Sequence, residues 1–267
     1  MTLDPELARA WPVLLVAVAS AVVYPLIGLR RYRRIEHLPE PLPSRTRLRV
    51  YWNVIVSQWT LVGLAALALG AGGLSIADLG QTLGRRPAVT LAVGAALLAA
   101  FGVLSIFTTR QLRRASAEDL PLHIRRAGKI LPQSDPERAW FAGVAFTAGV
   151  CEEVLYRGFL PWCIAGWTGS LLLGFVLAAA IFGLGHAYQG RHGVLVTGLL
   201  GLFFGALAWS TQSLMPGQLL HVAIDLVNGF AVGGAITRIQ APRSQAPVEP
   251  PAPLAPGDVD ASAAPRA

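Results

Sequence analysis

The sequence predicts an all-α fold, a polytopic transmembrane helical bundle with seven to eight membrane helices. Hydrophobic residues make up 54% of the 267 residues, charged residues only 14%, and the mean hydropathy is +0.52. A soluble domain carries roughly 25% charged residues, so this chain has too little polar surface for a water-soluble fold. The apolar residues also gather into runs of about 20, the length that crosses a bilayer core as a helix.

Seven apolar runs have the length and composition of membrane helices. They cover residues 11–29, 50–74, 88–107, 139–164, 170–187, 193–211 and 215–236. The fourth run contains Pro161, and a break at this proline would leave a short re-entrant or interfacial helix as an eighth segment. The first run has no basic region before it and no small-residue cleavage site after it, which predicts a retained helix rather than a signal peptide.

The charge distribution predicts how the helices are oriented. The formal net charge is +7, and the basic residues concentrate in the segments 30–49 and 108–138, whereas the loop between the second and third runs has only Arg85 and Arg86 beside Asp78. Short loops rich in Arg and Lys stay in the cytoplasm, so we expect segments 30–49 and 108–138 to be cytoplasmic and the N-terminus outside. Because these charges flank apolar runs, they indicate contact with anionic lipid and not with nucleic acid.

Two adjacent carboxylates and an arginine interrupt the fourth apolar run. They are Glu152, Glu153 and Arg157. On a helix, Glu153 and Arg157 lie four residues apart on one face, with the acid N-terminal to the base, which is the favourable order for an ion pair. Glu152 points about 100° away. The spacing therefore predicts one carboxylate tied to arginine and one whose partner comes from another helix.

Two further pairs, each with a histidine, lie in the later runs. Phe182 and His186 are four residues apart near the end of the fifth run, and His221 and Asp225 have the same spacing in the seventh. Each pair shares one helix face.

The energetic cost of these charges indicates that they meet. Insertion scales assign about 2.5–3.5 kcal/mol to a charge in mid-membrane. Glu152, Glu153, Arg157 and Asp225 would together cost on the order of 10–14 kcal/mol if each were unpaired. A whole domain is stable by only ~5–15 kcal/mol, so we expect these groups to face one another or a water-filled cavity.

Taken in order, the three motifs resemble those of the CPBP intramembrane protease family, which includes CAAX prenyl proteases of the Ras-converting type and bacterial Abi-like proteins. The family pattern is E-E-x-x-x-R, then F-x-x-x-H, then H-x-x-x-N or H-x-x-x-D. It is matched here by Glu152-Glu153-x-x-x-Arg157, by Phe182-x-x-x-His186 and by His221-x-x-x-Asp225. The resemblance covers roughly residues 139–236.

This resemblance implies an endopeptidase that hydrolyses a peptide bond inside the membrane. Glu152 and His186 would hold and deprotonate the attacking water, and His221, with Asp225, would stabilise the oxyanion. The three remaining motif residues would orient the site, with the ion pair aiming Glu152. They are Glu153, Arg157 and Phe182.

Two points of this mechanism stay open. Many relatives have Asn where this chain has Asp225, and an ionised carboxylate cannot donate to an oxyanion as an amide can. Glu152, His186 and His221 also supply a carboxylate and two imidazoles, which is a plausible ligand set for a divalent metal such as catalytic zinc. We prefer the mechanism that requires no cofactor. The sequence contains no H-E-x-x-H, G-x-G-D or G-x-S-x-G motif of other intramembrane proteases.

The resemblance also divides the chain into three parts. Residues 1–138 would be N-terminal transmembrane helices with Arg-rich cytoplasmic loops, residues 139–237 the catalytic membrane core, and residues 238–267 a Pro/Ala-rich disordered tail. The expected partners are membrane lipid and a hydrophobic or lipidated peptide. The single lysine among many Arg, Ala, Gly and Pro residues is typical of a high-GC bacterium, in which prenylated substrates are not expected.

Two other classes of function remain compatible with the motifs. A non-catalytic membrane scaffold or bacteriocin-type immunity protein could retain the same polar residues. A proton-coupled transporter could use Glu152 and Asp225 as a relay, although no repeat relates the two halves of the chain, as is common in transporters.

Overall fold

The computed structural model describes residues 4–39, 41–114 and 128–240. Within these ranges the chain is helical and contains no strand, which confirms the predicted all-α fold. The helices, counted as continuous runs of these described residues, are α1 (Pro5–Arg9), α2 (Trp11–Glu36), α3 (Ser44–Gly70), α4 (Pro87–Arg114), α5 (residues 135–168), α6 (Leu171–Gly185), α7 (Arg191–Thr211) and α8 (residues 215–240).

Each of the seven apolar runs forms a helix, from α2 to α8. Five of them are long and apolar enough to cross a membrane: α2, α3, α4, α7 and the Met215–Ala235 part of α8. Helix α6 has only 15 residues, fewer than the 20 or so that a perpendicular span requires. The apolar run of α5 contains two carboxylates, Glu152 and Glu153. Helix α5 is therefore not among the five helices that composition identifies as membrane spans. Large hydrophobic side chains on the outer helix faces are exposed, as expected where lipid is the solvent.

Helix α5 does not break at Pro161. Its first part, Asp135–Glu153, continues through a π-helical turn at Val154–Phe159 into Leu160–Thr168. The wider turn uses bonds to residues five positions back, as between Leu160 N and Leu155 O. Since the proline follows this turn and lies at the start of the last α-helical segment, it is accommodated where a helix tolerates proline. The predicted eighth segment is therefore the end of α5.

Helix α5 lies at the centre of the bundle, between α3 on one side and α8 on the other, and its C-terminal part packs on α1 and α6. The π turn is buried throughout. Glycines permit the close approaches: a Cβ on Gly149 of α5 would lie 2.4 Å from the Val222 side chain of α8. The central position of α5 places its carboxylates in the interior of the bundle and not against lipid.

The loop between α3 and α4, residues 71–86, docks on the start of α8. Leu79 is fully buried, and Leu214 N donates to Gly80 O at 2.8 Å. Gln81 and Gln218 donate to each other, at 3.2 and 2.7 Å. The loop thus closes the end of the bundle near α8 by specific polar contacts.

Arg47, one of the basic residues expected in the first cytoplasmic loop, lies instead on α3 and is 5% exposed. Its guanidinium donates to both carboxylate oxygens of Glu137 on α5, each at 2.9 Å, and to Leu42 O at 2.6 Å. The planar guanidinium matches a carboxylate in this two-bond geometry. Arg47 therefore joins α3 to α5. Helix α8 continues to Gln240, inside the segment 238–267 predicted as a disordered tail, and residues 241–267 lie outside the described residues.

Candidate active site

The carboxylate of Glu153 is buried between Arg157 and His221. Its Oε1 lies 3.1 Å from Arg157 Nη1, one helical turn along α5, and 2.9 Å from His221 Nδ1 on α8. Glu153 and Arg157 are each 1% exposed and His221 is 6% exposed. The i,i+4 ion pair is the one that the sequence spacing predicts. The contact with His221 was not predicted, and through it Glu153 orients the histidine of the third motif.

The hydrogen bond to Glu153 fixes the tautomer of His221. An ionised carboxylate can only accept, so Nδ1 must carry the proton. The other ring nitrogen, Nε2, then faces the two remaining carboxylates, at 3.8 Å from Glu152 Oε2 and 3.8 Å from Asp225 Oδ2. These separations exceed a direct hydrogen bond. Nε2 is therefore directed toward a space bordered by Glu152 and Asp225.

Glu152 is held from the opposite side by residues of the N-terminal helices. Gln58 Nε2 on α3 donates to Glu152 Oε1 at 2.7 Å, and the same nitrogen lies 3.0 Å from the hydroxyl of Tyr24 on α2. Gln58 and Tyr24 lie outside the three motifs and were not predicted to be site residues. The available signal was the polar Gln58 in the middle of an apolar span, where an amide is expensive unless it is bonded. The site therefore extends beyond the segment 139–237.

Aromatic rings enclose the buried arginine. The Arg157 guanidinium carbon lies 4.1 Å from the centroid of Phe182 on α6 and 5.3 Å from that of Phe204 on α7. Cation–π attraction is strongest for a desolvated cation. His221 also contacts both rings, at 6.3 and 5.5 Å between centroids, the latter stacked. Phe182 thus belongs to the apolar wall of the site, and Phe204 was not identified from the sequence.

His186 lies at the C-terminal end of α6, where the helix ends in a short 3-10 turn. Its Nδ1 is 2.9 Å from Phe182 O, and its ring lies 4.6 Å from that of Phe182. A carbonyl can only accept, so Nδ1 carries the proton and Nε2 has the free lone pair. The ring of Phe182 in turn lies 6.3 Å from that of His221. Phe182 thus lies between the histidine of the second motif and that of the third.

The side chain of Asp225 is 29% exposed, more than the 13% of Glu152. It follows His221 by one turn on α8 and lies at the open edge of the site. Asn228, three residues beyond Asp225 on the same helix, is exposed. Five of the polar motif residues therefore meet at one place, with the most accessible carboxylate at its margin, and His186 adjoins them through Phe182.

The arrangement places carboxylates beside an imidazole, next to aromatic rings. Carboxylate and imidazole are the side chains most used for proton transfer in enzymes. Among the described residues, no three His, Cys, Asp or Glu side chains are placed to hold one metal ion together. As positioned, Glu152, His186 and His221 do not form the three-ligand set of catalytic zinc.

One comparison with known proteins bears on this site. Residues 135–227 match a protein family described as type II CAAX prenyl endopeptidase Rce1-like. The matched segment runs from the start of α5 into the first part of α8 and contains all three motifs. The match confirms the resemblance that the motifs indicated and points, at the level of the family, to a membrane peptidase. No curated protein and no solved structure matches the chain significantly.

Proposed function

We propose that this protein is an intramembrane endopeptidase that hydrolyses a peptide bond in a hydrophobic or lipid-modified substrate, with a water molecule activated by Glu152 and His186. The observation that carries the proposal is the convergence of Glu152 Oε2, His221 Nε2 and Asp225 Oδ2 on one space, with 3.8 Å between the histidine nitrogen and each carboxylate oxygen. A scaffold or a transporter does not need an imidazole held through one nitrogen by a buried carboxylate, with its other nitrogen facing two further carboxylates.

Glu152 acts as the general base. Gln58 occupies its Oε1, so Oε2 is the oxygen that accepts the proton. His186 Nε2 accepts the second hydrogen of the water and orients it. As the O–H bond breaks, the water oxygen forms a bond to the carbonyl carbon and the proton passes to Glu152. Glu152 then returns this proton to the amide nitrogen as the C–N bond breaks, which releases an acid and an amine.

His221 stabilises the negative oxygen of the tetrahedral intermediate. Its Nδ1–H is already donated to Glu153, so it presents an N–H at Nε2 only as the imidazolium. Glu153 and Asp225 supply the negative charge that balances this cation. Asp225 thus acts on His221 and not on the oxyanion, which accounts for a carboxylate where an amide is common.

The substrate class follows from the surroundings of the site. Its walls are the rings of Phe182 and Phe204, and the helices around it expose apolar side chains to lipid. These surroundings favour a hydrophobic or lipid-modified peptide that approaches from the bilayer. We further propose a multi-pass protein of the cell membrane with segments 30–49 and 108–138 in the cytoplasm.

The test is a peptide-release assay on the protein in lipid vesicles, with an unbiased library of hydrophobic peptides. We expect Glu152→Gln and His186→Ala to lower turnover by about 10²–10⁴-fold while the protein stays folded. Asp135→Asn is the matched control, because Asp135 lies on the same helix with a side chain 90% exposed. Wild-type turnover in Glu152→Gln would contradict the assignment.

The same assay separates the two chemistries. We expect turnover to survive a strong chelator, since Glu152 and the two histidines act without a metal in the proposed mechanism. Loss of turnover on chelation, restored by zinc, would replace the general-base mechanism with a metal-dependent one. Metal analysis of the purified protein provides the independent measurement.

A further inference from the structure

Gln58 is a buried amide in the middle of a membrane helix. It lies on α3, is 1% exposed, and belongs to the span Ser44–Gly70. Its Nε2 contacts two other helices, through Glu152 Oε1 at 2.7 Å on α5 and the Tyr24 hydroxyl at 3.0 Å on α2. Within the described residues its Oε1 has no hydrogen-bond partner.

The donor side of the amide faces the carboxylate, and this orientation has a chemical reason. An ionised carboxylate only accepts, so a neighbour at 2.7 Å must donate. An amide nitrogen has two hydrogens, and Gln58 uses one for Glu152 and one for Tyr24. The two contacts fix the plane of the amide. They leave its buried oxygen without a hydrogen bond, which costs free energy, so close packing by itself does not explain this orientation.

The contact with Gln58 also distinguishes the two oxygens of Glu152. Oε1 is bonded to the amide, and Oε2 points toward His221 Nε2 at 3.8 Å. Without Gln58 the carboxylate could turn about its last bond, because the terminal torsion of glutamate is broad. Either oxygen, or neither, would then face the reacting space.

We propose that Gln58 is a positioning residue for Glu152, which anchors one carboxylate oxygen so that the other is aimed at the substrate. This inference rests on the proposed function of Glu152. Gln58 lies behind Glu152 and does not touch the reacting atoms. Tyr24 supports it in turn, by accepting the second N–H of the amide.

Several other groups lie within electrostatic range of Glu152, and none of them replaces this contact. They are Tyr24 of α2, Cys151 and Tyr156 of α5, His186 of α6, Tyr188 of the following turn, and His221 and Asp225 of α8. Among the described residues, the side chain of Glu152 accepts its hydrogen bond from Gln58, at Oε1. Its removal therefore frees Glu152 without removing a charge.

The test is the steady-state kinetics of two variants of the full-length protein in vesicles. Gln58→Met keeps the volume but has no donor, and Gln58→Asn keeps an amide that is too short to reach Glu152. We expect kcat to fall about tenfold in both, with KM within about twofold of wild type, because misdirecting a general base affects the chemical step and not binding. The control Asn53→Leu removes an amide of the same helix, which donates to Arg49 O of α3 itself, and should leave both constants unchanged.

An infrared measurement tests the contact without turnover. Subtracting the spectrum of Glu152→Gln from that of the wild type isolates the carboxylate band of Glu152, and we expect this band to shift in Gln58→Met but not in Asn53→Leu. A band that does not shift, or wild-type kcat in Gln58→Asn, overturns the positioning role. If Glu152→Gln abolishes hydrolysis and Gln58→Met does not lower kcat, only the positioning role fails. If Glu152→Gln hydrolyses normally, the proposed function fails instead.

Discussion

The ionisable side chains of this protein are arranged so that nearly every buried charge has a partner. Glu153 lies between Arg157 and His221, and Arg157 also lies against two aromatic rings. A buried pair is weak evidence for net stability, but removal of one partner is costly because it leaves the other charge unpaired. We therefore expect Arg157 to act through structure, while Glu153 also contacts His221.

Arg157→Ala should destabilise the protein by about 3–5 kcal/mol, because it leaves Glu153 buried without its cation and removes two ring contacts. The measurement is the unfolding midpoint in detergent, together with membrane yield. Arg138→Ala is the matched control on the same helix: its pair with Asp135 is exposed and should contribute only about 0–1 kcal/mol. Equal effects of the two substitutions would show that Arg157 has no structural role.

The helices meet closely where glycine replaces a side chain. A Cβ on Gly183 of α6 would lie 2.7 Å from Val194 O and 3.1 Å from Gly198 Cα of α7. Both neighbours are backbone atoms, so the contact cannot be relieved by a rotamer change. Small residues at such crossings are typical of membrane bundles. Gly183 follows Phe182 directly and precedes His186 by three residues, so the α6–α7 distance also sets the position of the second motif.

Gly183→Ala should push α6 away from α7, with an overpacking cost of about 1–3 kcal/mol, and should lower turnover because Phe182 and His186 move with the helix. Thermal unfolding and peptide release measure the two effects. Gly63→Ala on α3 provides the comparison, since a Cβ there meets nothing within 4 Å. A Gly183→Ala protein as stable as Gly63→Ala would contradict the close packing of α6 on α7.

In the folded bundle, the N-terminal helices contact the segment 139–237 that contains the three motifs. The N-terminal helices α2 and α3 supply Tyr24 and Gln58 to the site, and Arg47 of α3 is bonded to Glu137 of α5. Helices α2 and α3 therefore contribute to the site and to its support. His37 and residues 71–86 lie beyond opposite ends of α3, and the charge rule predicts that they face opposite sides of the membrane.

Cysteine labelling tests this orientation. His37 and Ala77 are exposed in the two loops, and the native thiols, Cys151 and Cys163, are buried and unpaired. In intact cells, an impermeant thiol reagent should label Ala77→Cys but reach His37→Cys only after the membrane is permeabilised. The unsubstituted protein should give no background. The reverse pattern would invert the proposed topology.

The helical class, the positions of the apolar helices and the ion pair of Glu153 with Arg157 could be read from the sequence, because apolar runs and i,i+4 spacing are local properties of one helix. The partners of the remaining groups could not. Whether Glu153 reaches His221, or Glu152 reaches Gln58, depends on how far each helix is rotated about its axis and how closely its neighbours approach. The continuation of α5 past Pro161 could not be predicted either. A proline would end an isolated helix, but here it follows a π turn that is buried by the surrounding helices. Contacts between helices arise only when the bundle is packed, and no spacing within a single helix encodes them.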